Sequence, residues 1–83
     1  MAVHGWVLVQ TDIGHARTVC DYIAAMRYPG AKVIQADTVT GPYDIIARIE
    51  ADDLDVLSSA AESAAKEVGG VQHVITCLTI TPD

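Results

Sequence analysis

A short connection between two apolar stretches carries the residues best suited to chemistry in this sequence. Gly41 and Pro42 are adjacent, and the pair marks a turn because glycine reaches backbone conformations closed to other residues and proline presets its own φ angle. Asp44 follows where the chain enters the next apolar stretch, so its carboxylate requires either solvent or a specific partner. The turn is therefore the candidate binding site. The alternative is that Asp44 only caps its own turn.

Histidine, cysteine and acidic residues elsewhere do not combine into a catalytic or metal site. His73 and Cys77 are four positions apart on an expected strand. That spacing separates them by roughly 13 Å, too far to hold one zinc ion together. His4 and His73 are expected at opposite ends of the sheet, and the acidic residues at positions 52–55 suit a helix start. We therefore predict no catalytic residue, no metal site and no cofactor, and we do not expect an enzyme.

Strands and helices in a recognisable order position the turn. Apolar alternation and β-branched residues predict strands over residues 3–10, 32–40, 43–50 and 71–81. Helical spacing predicts helices over residues 15–27 and 52–68, with caps for the first helix among residues 11–14. This order predicts an α+β, ferredoxin-like βαββαβ sandwich, in which two helices cover one face of an antiparallel four-stranded sheet.

Each expected helix turns one apolar side toward the sheet. That side consists of Ala16, Val19, Cys20, Ile23 and Met26 in the first helix, and of Leu54, Leu57, Ala61, Ala64 and Val68 in the second. Cys20 and Cys77 are both expected to be reduced core residues, with a disulfide as the alternative.

The sheet face away from the helices is also apolar. Trp6 and Leu8 alternate with Val7 and Val9, so both sides of the first strand are apolar, whereas two helices cover only one side. Since 51% of the 83 residues are hydrophobic and a chain of this length has a thin core, apolar surface remains after one copy folds. We therefore expect a homodimer in which the bare faces of two sheets stack.

Composition narrows the remaining function classes. The formal net charge is -6 and the five basic residues are scattered, which argues against direct nucleic-acid binding. No run approaches the roughly 20 apolar residues of a membrane span, and no signal segment is recognisable, so we expect a cytoplasmic protein without membrane contact. The length predicts a single domain over residues 1–83.

Four short segments resemble one known family. They are residues 29–33 (Pro-Gly-Ala-Lys-Val), 40–44 (Thr-Gly-Pro-Tyr-Asp), 50–54 (Glu-Ala-Asp-Asp-Leu) and 70–71 (Gly-Val). Together they resemble the effector-binding RAM domain of Lrp/AsnC (feast/famine) transcription regulators, over nearly the whole chain. Members of that family carry a helix-turn-helix DNA-binding domain ahead of this module. Only Met1 and Ala2 precede it here, so the sequence resembles a stand-alone form.

This resemblance implies sandwich dimers that assemble into larger rings and bind small effectors, usually amino acids, where neighbouring dimers meet. Carried over to this sequence, it places Asp44 opposite the ammonium group of the ligand and gives Gly41 the role of allowing close backbone approach. Thr38, Thr40 and Tyr43 would line the wall of the site, and Thr76 on the last strand is a further candidate. The implied partner is a full-length Lrp/AsnC-type regulator in a mixed oligomer, or another protein served by the bound effector.

Two other functions are compatible with the same strand order. An ACT-like module would regulate a metabolic enzyme by binding amino acids, but it usually has a glycine-rich turn after the first strand, which residues 11–14 match only weakly. A dimeric α+β barrel monooxygenase would need a deep pocket with histidine, asparagine or tryptophan against it. The chain has alanine-rich helices and no asparagine.

Overall fold

The computed structural model describes residues 3–79, apart from the side chains at positions 65 and 67. Its strands are β1 (Val3–Thr11), β2 (Ala31–Thr38), β3 (Ile45–Ala51) and β4 (Val71–Leu78), and its helices are α1 (Ala16–Ala25) and α2 (Leu54–Glu67). The strands form one antiparallel sheet in the order β2-β3-β1-β4. The predicted ferredoxin-like fold is thus confirmed. The last strand ends at Leu78, and residues 80–81 of the predicted strand lie outside the described residues.

Alternation along the two central strands builds the core. In β3, residues 45, 47, 49 and 51 are buried while residues 46, 48 and 50 are only half-buried, as expected for a strand with one covered face. Both helices lie on the covered face. The core formed there consists of Val7, Val9, Val19, Cys20, Ile23, Ile45, Ala47, Ile49, Ala51, Leu57, Ala61 and Ala64.

The predicted apolar sides of the helices are correct with one exception. Leu54 remains 49% exposed, because it is the first residue of α2 and precedes Leu57, which is fully buried, by almost a turn. Ala60, which was not predicted, is fully buried instead. Alanine at positions 60, 61 and 64 leaves little side-chain volume between the helix and its neighbours, which permits close packing on the sheet.

The two helices begin differently. α2 has the predicted acidic cap, because the Asp53 carboxylate accepts the backbone N–H of Val56 at 2.8 Å. α1 has no side-chain cap, and its N-cap residue is His15. The expectation that residues 11–14 supply this cap is therefore wrong. The Asp12 carboxylate instead accepts the amide of Gln72 at 2.8 Å, which ties the start of the β1–α1 connection to β4.

The sheet face opposite the helices is open in the single chain. Trp6 is 42% exposed there, and Cys77, its register partner on β4, is exposed as well. The prediction that Cys77 is a core residue is wrong for one copy, because its position in the alternation of β4 places it on this uncovered face. Cys20 is buried as predicted, and both thiols are free.

Within residues 3–79, no helix is long and apolar enough to cross a membrane.

Candidate functional site

The connection between β2 and β3, residues 39–44, forms the candidate site and is called the Asp44 loop here. The backbone N–H of Val39 donates to the carbonyl of Asp44 at 2.8 Å, which closes the loop on itself. The N–H of Asp44 donates to the carbonyl of Val9 at 2.9 Å, which attaches the loop to β1. The position of Asp44 is therefore set by two strands and not by the loop alone.

The two carboxylate oxygens of Asp44 differ in their contacts within the described part of the chain. Its Oδ2 accepts the backbone N–H of Thr11 at 2.8 Å and the Thr11 hydroxyl at 3.3 Å. Thr11 is only 8% exposed and ends β1, so this contact satisfies a backbone group that the sheet leaves unpaired. No described residue donates a hydrogen bond to Oδ1. Asp44 therefore caps the end of β1 while one oxygen remains available to a ligand.

The other predicted residues of the β2–β3 region lie close to Asp44 in sequence, and the space beside Gly41 is open. Gly41 has φ +139°, a conformation that residues with a side chain rarely adopt, and a Cβ built on it meets nothing within 4 Å. Thr38 and Thr40 are exposed, and Tyr43 is half-buried. The structure thus places Thr40, Gly41, Tyr43 and Asp44 on the Asp44 loop and Thr38 next to it at the end of β2, with backbone accessible beside Gly41.

Thr76 is not part of this group in the single chain. It lies in the middle of β4 opposite Val7, which in turn pairs with Ala47 of β3. Ala47 is three residues beyond Asp44, about 10 Å along the strand, and β4 is two strand spacings, roughly 9.5 Å, from β3. A ligand at the Asp44 loop of one copy would therefore not touch Thr76 of the same copy.

Three described cavities lie away from the Asp44 loop: two at the opposite end of the sheet, and one lined by Tyr28 and residues of α2. They have volumes of about 510, 310 and 250 Å³. The largest lies between the end of α1 and the start of β2, and Tyr28 and Lys32 are among its lining residues. Among the described residues, no group of three or more His, Cys, Asp and Glu is placed to hold a metal ion.

Comparison with known proteins identifies this architecture. No family model matches the sequence, and no curated protein matches it at a significant level. Among solved structures, TTHA0845 from Thermus thermophilus aligns with a TM-score of 0.84 and 22% identity, over 98% of this chain and 96% of that one. FFRP-DM1 aligns with a TM-score of 0.80 and 28% identity, over 94% and 99% of the two chains.

Two longer chains show the same fold in part of their length. AsnC from E. coli aligns with a TM-score of 0.79 and 14% identity, over 96% of this chain and 52% of AsnC. The transcriptional regulator NMB0573 from Neisseria meningitidis, solved as an L-Met complex, aligns with a TM-score of 0.74 and 15% identity, over 95% and 50%. The resemblance to Lrp/AsnC regulators is confirmed. The chain has the RAM-like fold, and it spans about half the length of these two regulators.

Sequence reasoning missed two residues that hold the candidate site in position, Thr11 and Gln72. The sequence places Thr11 only among the expected caps of the first helix, yet its N–H donates to Asp44 and holds that side chain in place. Gln72 then links Asp12, the next residue along the chain, to β4. The strand order carried the one available signal, because it places the end of β1 beside the start of β3 and the start of β4.

Proposed function

We propose that this RAM-like domain binds a small-molecule effector, an amino acid, at the Asp44 loop and acts as an oligomerising regulatory module related to Lrp/AsnC regulators. The observation that carries the proposal is the Asp44 carboxylate, which is held rigidly by Thr11 through one oxygen and offers the other to a ligand. The L-Met complex of the Neisseria regulator supports the choice of an amino acid, since that protein has the same fold over half its length.

The proposed contacts follow from the chemistry of an amino acid. Its ammonium group donates a charge-assisted hydrogen bond to Asp44 Oδ1, an interaction worth roughly 1.5 to 3 kcal/mol. Gly41 leaves room for the ligand against the backbone, because a Cβ there would be the first atom in that space. The hydroxyl groups of Thr38, Thr40 and Tyr43 can pair with the remaining polar atoms of the ligand. Thr76 would reach the ligand from a neighbouring copy of the chain.

The open face of the sheet supports the proposed assembly. Six side chains whose apolar surface is not covered by the helices lie on this face or, in one case, at the register shift between β2 and β3 next to Gln35. A contiguous apolar surface of this kind is typical of an interaction site. The six side chains are Trp6, Leu8, Ile34, Ile46, Ile75 and Cys77. We propose that two copies stack these faces to form a dimer, and that dimers associate further into a ring.

The proposed output of the module is regulation through a partner. The Neisseria protein NMB0573, which shares this fold, is a transcriptional regulator, and AsnC shares the fold as well, so we propose a non-catalytic role with a full-length Lrp/AsnC-type regulator as partner. The negative net charge supports a role in which residues 1–83 do not themselves contact DNA.

Calorimetric titration with the twenty L-amino acids tests the site. We expect at least one to bind the wild-type chain, and Asp44→Asn to weaken that binding about tenfold or more, because the amide removes the charge but keeps an acceptor for Thr11. Asp21→Asn is the matched control, since it removes one carboxylate from an exposed position on α1. Equal binding by the wild type and Asp44→Asn would reject the Asp44 site.

A further inference from the structure

One cation on the open sheet face, Arg48, has no counter-charge among residues 3–79. Arg48 is half-buried in the middle of β3, and its Nε is buried without a hydrogen-bond partner among the described residues. The guanidinium carbon lies 5.7 Å from the ring centroid of Trp6, which pairs with Arg48 in register on β1. The ion pair among the described side chains is His4 with Glu50, so no described carboxylate is paired with Arg48.

This arrangement is tolerable in one copy because part of the guanidinium still reaches water. It becomes costly when the face is covered, since a cation that loses its solvent without gaining a partner is strongly destabilising. The contact with Trp6 offsets only part of that cost. A covering surface that brings a carboxylate to Arg48 removes this cost most effectively, because it supplies both hydrogen-bond acceptors and a counter-charge.

Two neighbouring rows of side chains form the apolar centre of the face. The Trp6 row runs across the four strands as Gln35, Arg48, Trp6 and Cys77, and the Leu8 row as Asp37, Ile46, Leu8 and Ile75. When the faces of two copies stack about a two-fold axis with their strands aligned, these rows can lie on each other in two ways, because the axis runs either along the strands or across them.

An axis along the strands through the middle of the sheet is unfavourable. It places Arg48 against the Trp6 row of the partner, where the two Arg48 side chains approach within about one strand spacing, 4.8 Å, in projection. That row contains no carboxylate. Like charges at this separation repel, so this packing worsens the position of each cation.

A two-fold axis across the strands, between the two rows, brings a carboxylate close to each Arg48. It lays the Leu8 row of the partner over the Trp6 row with β3 over β3, so that Arg48 lies above Ile46 of the partner subunit. Asp37 of the partner subunit is then one strand to the side, about 4.8 Å in projection, which is within reach of an arginine side chain. The apolar side chains of both rows are buried by the same packing.

Asp37 is the acidic residue of this face that is best placed to pair with Arg48 of a second copy. It is exposed, and among the described side chains its Oδ2 accepts a hydrogen bond from the neutral amide of Gln35, at 2.7 Å. Glu50, by contrast, already contacts His4 at 3.0 Å. We propose that Arg48 of each subunit forms an ion pair with Asp37 of the partner subunit, and that this reciprocal pair sets the orientation of the sheet-stacked dimer. The inference rests on the proposed dimer and adds its orientation.

Charge exchange within one chain tests the pair, because both sites change together in a symmetric dimer. We expect Arg48→Asp and Asp37→Arg each to raise the dimer dissociation constant at least about tenfold, since each leaves like charges facing in the interface. The double variant D37R/R48D is expected to recover most of the wild-type affinity. Sedimentation over a concentration series measures the constant, and emission of the single tryptophan, Trp6, follows burial of the face.

The control variants distinguish failure of the Arg48–Asp37 pair from failure of dimerisation. Arg17→Asp reverses one exposed charge on α1 and is expected to leave dimerisation unchanged. If a reversed variant does not fold, Arg48→Gln, Asp37→Asn and their combination measure the coupling as a double-mutant cycle. A monomeric wild type would reject the proposed assembly. If either single variant has the dissociation constant of the wild-type dimer, the Arg48–Asp37 pair is rejected. It is also rejected if the double variant does not recover the wild-type constant. Both outcomes leave the dimer itself in place.

Discussion

Asp44 and Thr11 are 33 positions apart in sequence, yet the carboxylate of the first accepts the backbone N–H of the second at 2.8 Å. The contact joins the loop between β2 and β3 to the end of β1. Immediately after Thr11, the N–H of Asp12 donates to the carbonyl of Gly70 at 2.7 Å. The proposed ligand site is therefore connected through consecutive residues to the start of β4, and substitutions at Asp44 should affect both folding and binding.

Asp44→Ala is expected to lower the free energy of unfolding by about 1 to 3 kcal/mol, because it leaves the buried N–H of Thr11 without its acceptor. Asp44→Asn keeps an acceptor at the same place and is expected to cost less than about 1 kcal/mol. Urea denaturation of the three proteins under one buffer condition measures the difference. Equal stability of the alanine variant and the wild type would mean that the Thr11 contact contributes nothing to folding.

Gly41→Ala is expected to destabilise the Asp44 loop through backbone strain alone. Gly41 has φ +139°, and an added Cβ meets nothing within 4 Å, so the cost is that of the conformation, about 1 to 3 kcal/mol. Gly69→Ala is the matched control, since its added Cβ also meets nothing but its φ lies outside the positive range. Thermal melts of both variants test this difference, and similar melting temperatures would contradict it.

The fold could be predicted from the sequence because the local patterns and the order of strands and helices indicate the same architecture. The alternation at residues 45–51 predicts β3 with its buried side, and the spacing of Val19, Cys20 and Ile23 predicts the buried side of α1. The errors occur where local pattern is not sufficient. The exposure of Leu54 depends on where α2 first meets the sheet, and the exposure of Cys77 depends on which face of β4 the helices leave uncovered.

The candidate site could be predicted from the sequence only in part. The turn residues 38–44 are close in sequence, so their grouping follows from any hairpin. The role of Thr11 could not be predicted in this way, because a backbone N–H has no sequence signature and its partner is decided by which strand ends beside the loop. That no described carboxylate pairs with Arg48 is similarly decided by the residues on three neighbouring strands and not by those adjacent to Arg48 in sequence.

Asp53→Ala is expected to destabilise the protein by about 1 kcal/mol, because it removes the cap that accepts the N–H of Val56. Asp52→Ala removes the adjacent exposed carboxylate, which accepts no hydrogen bond from the described residues, and is expected to have a smaller effect. Chemical denaturation of the two variants compares them directly. A larger loss for Asp52→Ala would reject the assignment of Asp53 as the cap.

The purified chain of residues 1–83 is expected to show no specific affinity for duplex DNA at physiological salt. Its net charge of -6 repels the phosphate backbone, and its basic residues do not form a stripe that could neutralise successive phosphates. Gel shifts with a random-sequence duplex library test this. Selective enrichment of one sequence would show that the chain reads DNA by itself.

Labelling of the two cysteines is expected to report dimer formation, because the two thiols lie on opposite sides of the sheet. Cys77 is exposed on the open face beside Trp6 and should react readily with a thiol reagent in dilute protein. Cys20 is buried, and burial raises the pKa of its thiol, with a further contribution from the Asp21 and Asp37 carboxylates. Since the thiolate is the reactive species, Cys20 should react slowly at every protein concentration and serves as the internal reference.

The sheet-stacked dimer predicts that Cys77 becomes protected as the protein concentration rises, whereas the rate at Cys20 stays constant. Mass spectrometry of digests taken at timed intervals measures both rates in one sample. Arg48→Asp is expected to shift the protection of Cys77 to higher concentration, since it weakens the same interface. Rapid, concentration-independent labelling of Cys77 in a protein that sedimentation shows to be dimeric would place the dimer interface on another surface.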